Sequence, residues 1–548
     1  MSHVFLTGFM GAGKSTVGKL VAAELGWPFV DLDRAIEHRE GASVSSIFTE
    51  RGEPEFRQAE HAALAALAAT GSSVIATGGG VVLREDNQTL LRQLGTVVYL
   101  SVTPEEAIAR LGDAGDRPLL AGGGLDAARA VLAARLAVYA ATADAVVDTV
   151  GRTPEETAAA VLAALPGELT DAATPVRIRV GGAGDSTYEV IVGPGVVASL
   201  GERVLDVTGA RSAIVVSDTA VWPLHGPRVV ASLAAAGIRT GECVVPSGEL
   251  SKSWPRAGEL LEYLATWGLD RTSVVVALGG GVVGDLAGFV AATYMRGIGL
   301  VHVPTTLLAQ VDSAIGGKTA VDLTGGKNLA GAFWPPRLVL SDTDTLSTLP
   351  AAEWTNGLVE VVKSVLLAGG AALARFEHQV EAVMAREPDA VRSTVIDAAR
   401  FKAEVVSADL READVRECLN LGHTLGHALE KLVGYGELPH GLAVAEGMRF
   451  ASVLAGEVES PDPDLSGRTA ALLESIGAGA ERCAAVLRGH LPALTPEALL
   501  SAMKGDKKSR NGQVRFVLLL GPGTWKAVGV EDAVLLAALE RWSIGMGG

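Results

Sequence analysis

Cysteine is scarce in this sequence: three thiols among 548 residues, at Cys243, Cys418 and Cys483, with no C-x-x-C spacing. No disulfide framework is expected, and unpaired thiols suit a reducing compartment, so the chain reads as cytoplasmic. Aromatics supply only 5% of residues against a hydrophobic share of 48%, which leaves Ala, Val and Leu as the apolar bulk, the material of helix-covered parallel sheets. Positive charge is in deficit as well. Lys and Arg number 46 against 63 Asp and Glu, a net charge of −17. That balance argues against a nucleic-acid or anionic-membrane surface and requires local cationic clusters for any anionic small molecule. The most apolar long window, 274–295, is broken by Gly279, Gly280, Gly281 and Asp285, so no membrane span is expected. The opening MSHVFLTGFMGAGKST has no basic flank before an apolar segment, and no signal peptide is read.

Glycine, by contrast, is abundant at 66 residues, and the pentapeptide GGGVV occurs twice, from Gly78 and from Gly279, each after a short apolar run. The chain exceeds what one core can hold, and at roughly 100–200 residues per domain it implies several. TPEETAAAVLAAL predicts a helix with Thr153 as N-cap and Glu156 in the capping-box position. It closes a first unit, 1–165, and the Pro, Gly and polar residues of 166–175 read as a linker. From 176 to 345, Val-rich runs such as AIVVS, SVVVAL and LVHVP alternate with helical segments, the sign of a parallel sheet. From 346 to 548 the texture is mostly helical, and only QVRFVLLLGPG, with RNG before it, reads as strands joined by a turn. The expected class is α/β: a parallel-sheet domain, a second α/β domain and an α-helical domain.

The first unit opens with a strand running into Gly8, Gly11, Gly13, Lys14, Ser15 and Thr16, the G-x-x-x-x-G-K-[ST] phosphate loop. Backbone amides and a helix N-terminus hold phosphate there, Lys14 adds a mobile charge and Ser15 offers a hydroxyl to Mg²⁺. FVDLDRAIE places Asp31 and Asp33 at the end of a second strand, where alternation would point both carboxylates one way. Arg57 in PEFRQAE and Arg135 in LAARLAVY are forked donors suited to a carboxylate. These pieces, with GGG, RPLL and R-x-x-x-Y in order, resemble shikimate kinase over 1–165. The resemblance implies that Asp33, Arg57, Gly79, Gly80 and Arg135 grip shikimate, with Asp33 near the accepting hydroxyl and Asp31 reaching Mg²⁺ through water. It also implies that Arg110 and Arg117 flank a lid over ATP, Arg117 stabilising charge on the transferred phosphoryl group. VYAATAD lacks the basic residue often found after that tyrosine. A nucleotide sensor without phosphotransfer is the competing reading, and Asp33, Arg57 and Arg135 speak against it.

The second GGGVV belongs to a G-x-G-x-x-G ending in Asp285, a weak signal by itself, because no acidic residue follows at the spacing expected of a ribose ligand. Around it stand Asp218, Glu249 and Lys252 upstream and Thr305, Thr306, Asp312, Lys318, Lys327 and Asn328 downstream, cations among glycine turns that point to an anionic ligand. The helical region adds His423 and His427 at i, i+4, His440, Glu360 and Lys363, a set from which a zinc site could be drawn. No glutamate follows His423, so the metalloprotease H-E-x-x-H is absent. PSGExxK, GGGVVGD, VPTTLLAQVDSAIGGKT, GGKN, R-x-x-x-N-x-x-H-T-x-x-H and GDKK together resemble 3-dehydroquinate synthase from 176 onward.

That resemblance implies Zn²⁺ (or Co²⁺) on Glu360, His423 and His440, with His427 left to substrate or proton handling. It puts NAD⁺ on Asp218, Glu249, Lys252, Gly280, Gly281, Asp285, Thr305, Thr306 and Lys327. Substrate falls to Asp312, Lys318, Asn328, Lys363, Lys402, Arg416, Asn420 and His427, with Lys507 or Lys508 joining. Arg296 would reach the phosphate of a neighbouring subunit, which implies a homodimer through this part. A metal- and NAD-dependent alcohol dehydrogenase is the rival, and it would have no use for Lys318, Lys363 and Arg416 as a phosphate grip.

Overall fold

The computed structural model describes residues 3–25, 27–67, 72–111, 124–165, 174–181, 187–412, 414–434, 436–505 and 513–547. The chain forms two compact units, Met1–Thr174 and Pro175–Gly548. Residues 166–173, most of the expected linker, lie outside the described residues. Among the described residues no helix is long and apolar enough to cross a membrane.

The first unit is built on five parallel strands: β1 (His3–Gly8), β2 (Phe29–Asp31), β3 (Val74–Ala76), β4 (Gly95–Ser101) and β5 (Ala145–Asp148), in spatial order β2-β3-β1-β4-β5. The central strand β1 is buried throughout, as a Val/Phe/Leu run covered on both faces must be. It lies where the strand order reverses, so its carboxyl end opens a crevice. The predicted last helix is present as Pro154–Ala164, with the complete capping box between Thr153 and Glu156.

The second unit carries a seven-stranded sheet. Its strands are β6 (Val176–Val180), β7 (Tyr188–Gly193), β8 (Ser212–Asp218), β9 (Arg239–Val245), β10 (Val274–Gly279), β11 (Gly299–Pro304) and β14 (Leu338–Asp342), ordered β6-β7-β14-β11-β10-β8-β9. Only β6–β7 is antiparallel. The glycine-rich span read as a run of turns is in part an antiparallel hairpin, β12 (Lys318–Leu323) with β13 (Gly326–Phe333). The C-terminal strand pair also differs from expectation. β15 (Val514–Gly521) returns through Pro522 and Gly523 into β16 (Thr524–Val530), so the second strand follows GPG and is TWKAVGV. Helices Ala351–Ala368, Pro388–Ala408, His423–Val433 and His440–Val458 make the helical part, which shares one hydrophobic core with β6, β7 and β15.

Candidate active sites

In the first unit, β1 delivers the chain at Gly8 into a loop that ends where helix Lys14–Leu25 begins. Gly8 and Gly11 are required by space as well as by positive φ. A Cβ on Gly8 would strike the Leu100 carbonyl, and one on Gly11 would lie 2.6 Å from Ala107 O. Lys14 Nζ donates to Gly8 O and Phe9 O, each at 3.0 Å, and Ser15 Oγ donates to Asp31 Oδ2 at 2.8 Å. A cavity of about 970 Å³ opens above, lined by Gly11, Gly13, Lys14, Ser15, Thr16, Asp31, Asp33, Arg57, Gly79, Gly80, Arg110 and Arg135.

Asp31 and Asp33 do not share a strand. β2 stops at Asp31, whose carboxylate caps the helix Leu32–Glu40 by accepting from Arg34 N, and Asp33 stands in that helix's first turn. Both still border the cavity: Asp31 meets Ser15, and Asp33 lies beside Gly78. Arg57 and Arg135 converge on the glycine loop. Arg135 Nη1 donates to Gly79 O at 3.2 Å, the Tyr139 hydroxyl donates to the same carbonyl, and the Arg57 guanidinium fills the space that a side chain at Gly80 would need. Arg57 is held by Glu60 at 2.8 Å and Glu53 at 3.1 Å. Sequence reasoning missed Glu60. Its place three residues after Arg57 on one helix was the available signal. It is 1% exposed, its Oε1 has no hydrogen-bond partner, and burial pushes its carboxyl up against the pull of Arg57. Arg110 donates to Thr149 O at 2.6 Å. Arg117 lies outside the described residues.

In the second unit, β10 ends at Gly279, and Gly280 caps the helix Gly281–Thr293, whose first amides point outward as an anion site. A Cβ on Gly280 would stand 2.9 Å from Thr306 Cγ2, so a side chain there is excluded by Thr306, and the neighbouring Thr305 hydroxyl is buried without a hydrogen-bond partner. Asp285 pairs with Lys252 at 2.5 Å, and Glu249 pairs with Lys327 at 3.3 Å. Asn328, left-handed at φ 55, donates its backbone N–H to Asp322 Oδ1 at 2.8 Å across the β12–β13 hairpin. Asp218 closes β8 and accepts from Ala220 N and Val221 N, a turn-capping duty. Arg296 is exposed on the turn Tyr294–Arg296, also left-handed.

Glu360, His423 and His440 each bring a ligand atom within 4.8 Å of the others. Glu360 is 1% exposed. Its Oε1, without a hydrogen bond, lies 3.6 Å from His423 Nε2 and 3.8 Å from His440 Nε2. The other ring nitrogens are engaged, His423 Nδ1 with Leu421 O at 3.1 Å and His440 Nδ1 with Glu430 Oε1 at 3.4 Å, which turns both Nε2 atoms inward. A buried, unpaired carboxylate oxygen between two such nitrogens fits a divalent metal with open positions. His427 stands beside the trio, its ring 5.4 Å from that of His423. Glu430, three residues after His427 on the same helix, was legible by spacing and was missed.

Beside the trio, Lys363 pairs with Glu360 and with Asp312, and Lys402 pairs with Asp312. Burial pushes Asp312 up, but the two ammoniums win and hold it well below the usual carboxylate range, while burial draws Lys402 down. Lys318 pairs with Glu412, Asn420 Nδ2 donates to Glu412 Oε1 at 3.3 Å, and Arg416, 1% exposed, donates to Leu410 O at 2.6 Å and Gly316 O at 3.3 Å. Glu412 also escaped the sequence reading, since a left-handed loop residue at φ 59 leaves no pattern. Lys507 and Lys508 lie outside the described residues.

Family models match in three stretches: shikimate kinase over residues 10–166, the N-terminal part of 3-dehydroquinate synthase over 242–356 and its C-terminal part over 357–509. The 3-dehydroquinate synthase of Symbiobacterium thermophilum is 46% identical over 343 residues, 62% of this chain and 93% of that protein. That of Caulobacter vibrioides is 44% identical over 362 residues, 65% of this chain and 96% of that protein. Among solved structures, a 2-epi-5-epi-valiolone synthase from Streptomyces hygroscopicus, with NAD⁺ and Zn²⁺ bound, matches at a TM-score of 0.58 and 27% identity, covering 67% of this chain and 99% of that one.

Proposed function

The chain belongs to the 3-dehydroquinate synthase family and carries a shikimate kinase domain ahead of the synthase, and from that premise we propose how its residues divide two reactions. It is a bifunctional enzyme of chorismate biosynthesis. One activity phosphorylates shikimate with ATP, and the other converts 3-deoxy-D-arabino-heptulosonate 7-phosphate to 3-dehydroquinate with release of phosphate.

In the kinase, Arg57 and Arg135 grip the carboxylate of shikimate, while Gly79 and Gly80 let its ring approach backbone. Asp33 takes the proton of the accepting hydroxyl. The amides of Gly11 and Gly13, with Lys14 and Thr16, hold the nucleotide phosphates. Arg110 and Arg117 would act on the nucleotide, as the resemblance to shikimate kinase implies, and Ser15 with Asp31 would hold Mg²⁺, which neutralises phosphate charge when bound. In the synthase, Asp218, Glu249, Lys252, Gly280, Gly281, Asp285, Thr305, Thr306 and Lys327 would hold NAD⁺, and Glu360, His423 and His440 would hold zinc. When bound, these groups supply a transient hydride acceptor and a Lewis acid. Lys318, Lys363, Lys402 and Arg416, with Asn328, Asn420 and Lys507 or Lys508, receive the carboxylate and phosphate of the substrate. Asp312 fixes two of those lysines, and His427 moves a proton beside them. We read the synthase part as a homodimer, with Arg296 lent across the interface, in a reducing cytoplasm.

The convergence of Glu360, His423 and His440 beside Lys363, Lys402 and Asp312 carries this reading. It is tested by incubating the full chain with the sugar-acid phosphate, zinc and catalytic NAD⁺. Phosphate release with no net NADH is expected. NADH accumulating without phosphate release would replace the synthase by a dehydrogenase. Shikimate with ATP is the parallel assay for the kinase, and solution mass tests the dimer.

A further inference from the structure

Strand β15 stands behind the synthase site, and Arg515 on it joins parts that are distant in sequence. Its guanidinium pairs with Glu417 through two nitrogens, Nε to Oε1 at 2.8 Å and Nη2 to Oε2 at 3.1 Å, and Nη2 also donates to Ala527 O on β16 at 3.4 Å. Its carbonyl accepts the Thr424 hydroxyl at 2.9 Å. The next residue, Phe516, packs on Phe450 with ring centroids 5.7 Å apart. Each partner borders the chemistry. Glu417 sits in the turn Val415–Asn420 between Arg416 and Asn420, Thr424 follows His423, and Phe450 lies on the helix that His440 begins.

The turn needs such an anchor. A six-residue 3₁₀ segment has poor internal hydrogen bonds, and the chain enters it through Asp414 at φ −149, ψ −97, outside any regular conformation. An exposed ion pair would add little. This one is bidentate and its side chains are only 27% and 21% exposed, so it constrains direction as well as distance.

We propose that Arg515 is a positioning residue of the synthase reaction: through Glu417 it holds the turn Val415–Asn420 so that Arg416 and Asn420 meet the anionic groups of the substrate. The proposal rests on the reading of that turn as a substrate grip. The test uses the full chain, the sugar-acid phosphate, saturating NAD⁺ and zinc, with phosphate release as the readout. Arg515→Ala raises KM roughly tenfold with kcat changed less than about threefold, a displacement of binding groups without loss of the chemistry. Arg515→Lys recovers part of the KM, and the exchange Arg515→Glu with Glu417→Arg recovers most of it. Zinc affinity, measured by competition with a chelator, and shikimate phosphorylation stay at the wild-type level. An unchanged KM in Arg515→Ala overturns the proposal, as does a parallel fall of kcat and zinc affinity that the exchange variant does not repair. If the wild-type chain itself releases no phosphate, the reading of the site fails and takes the proposal with it. Normal wild-type turnover beside an unaffected Arg515→Ala removes the positioning role alone.

Discussion

The same five letters, GGGVV, have two fates in this molecule. At 78–82 the glycines form a loop after β3, and the valines enter a short 3₁₀ turn and are buried. At 279–283 the first glycine ends β10, the second caps a helix, and the third begins it with the valines in its first turn. What packs behind decides the difference. The Arg57 guanidinium occupies the space above Gly80, so that loop faces a cation, the wall for an acid in the reading proposed above, whereas the methyl of Thr306 faces Gly280 at the start of a helix. A glycine run thus states that something comes close, and the neighbours state what.

The comparison can be broken from several sides. The largest effect is expected from a zinc-selective chelator with Mg²⁺ in excess. Dehydroquinate formation falls by about 10³-fold or more while shikimate phosphorylation changes less than about twofold, as measured by parallel assays. Equal loss in both halves would mean that the metal trio does not distinguish them. Asp33→Asn lowers kcat for shikimate phosphorylation by roughly 10²-fold and leaves the synthase alone, and a variant with full kinase activity would remove Asp33 from its role.

Next comes a pH effect. His302 on β11 lies beneath the helix that the second glycine run begins, 3.4 Å from where a Cβ on Gly284 would stand. Burial holds it down to about 4 from 6.5, so the fold favours its neutral form. This stability is complete above pH 6.5 and is lost as pH falls towards 4, roughly 3 kcal/mol in all. Denaturant unfolding across that range in wild type and His302→Gln should show a steeper loss in wild type, and matching slopes would contradict it. The smallest effects separate the two runs directly. Gly80→Ala displaces Arg57 and raises KM for shikimate about tenfold with KM for ATP unchanged, while Gly280→Ala weakens NAD⁺ binding about fivefold and spares the kinase. Shikimate KM unmoved by Gly80→Ala would leave the wall without its arginine.

What the sequence made legible follows local rules. Val-rich runs gave β8, β10 and β11, and the Thr153–Glu156 spacing gave a capped helix, because burial on both faces and a cap are local demands. The β12–β13 hairpin was hidden because GGKNLAGAF has little strand propensity and is held by its partner strand. Asp31 and Asp33 were misplaced because a three-residue strand is ended by its own last carboxylate. Among the histidines, spacing alone favoured His423 with His427. That His440 comes with His423 to Glu360 is a tertiary fact, supplied by two helices and a third that no periodicity connects.

The Lys14 ammonium donates to Gly8 O and Phe9 O. An arriving phosphate must therefore win the ammonium from two carbonyl oxygens that already neutralise part of its field. The two bonds tie the ammonium to the loop's own backbone, and affinity for ATP is set by the margin between competing acceptors rather than by the full attraction of a bare cation.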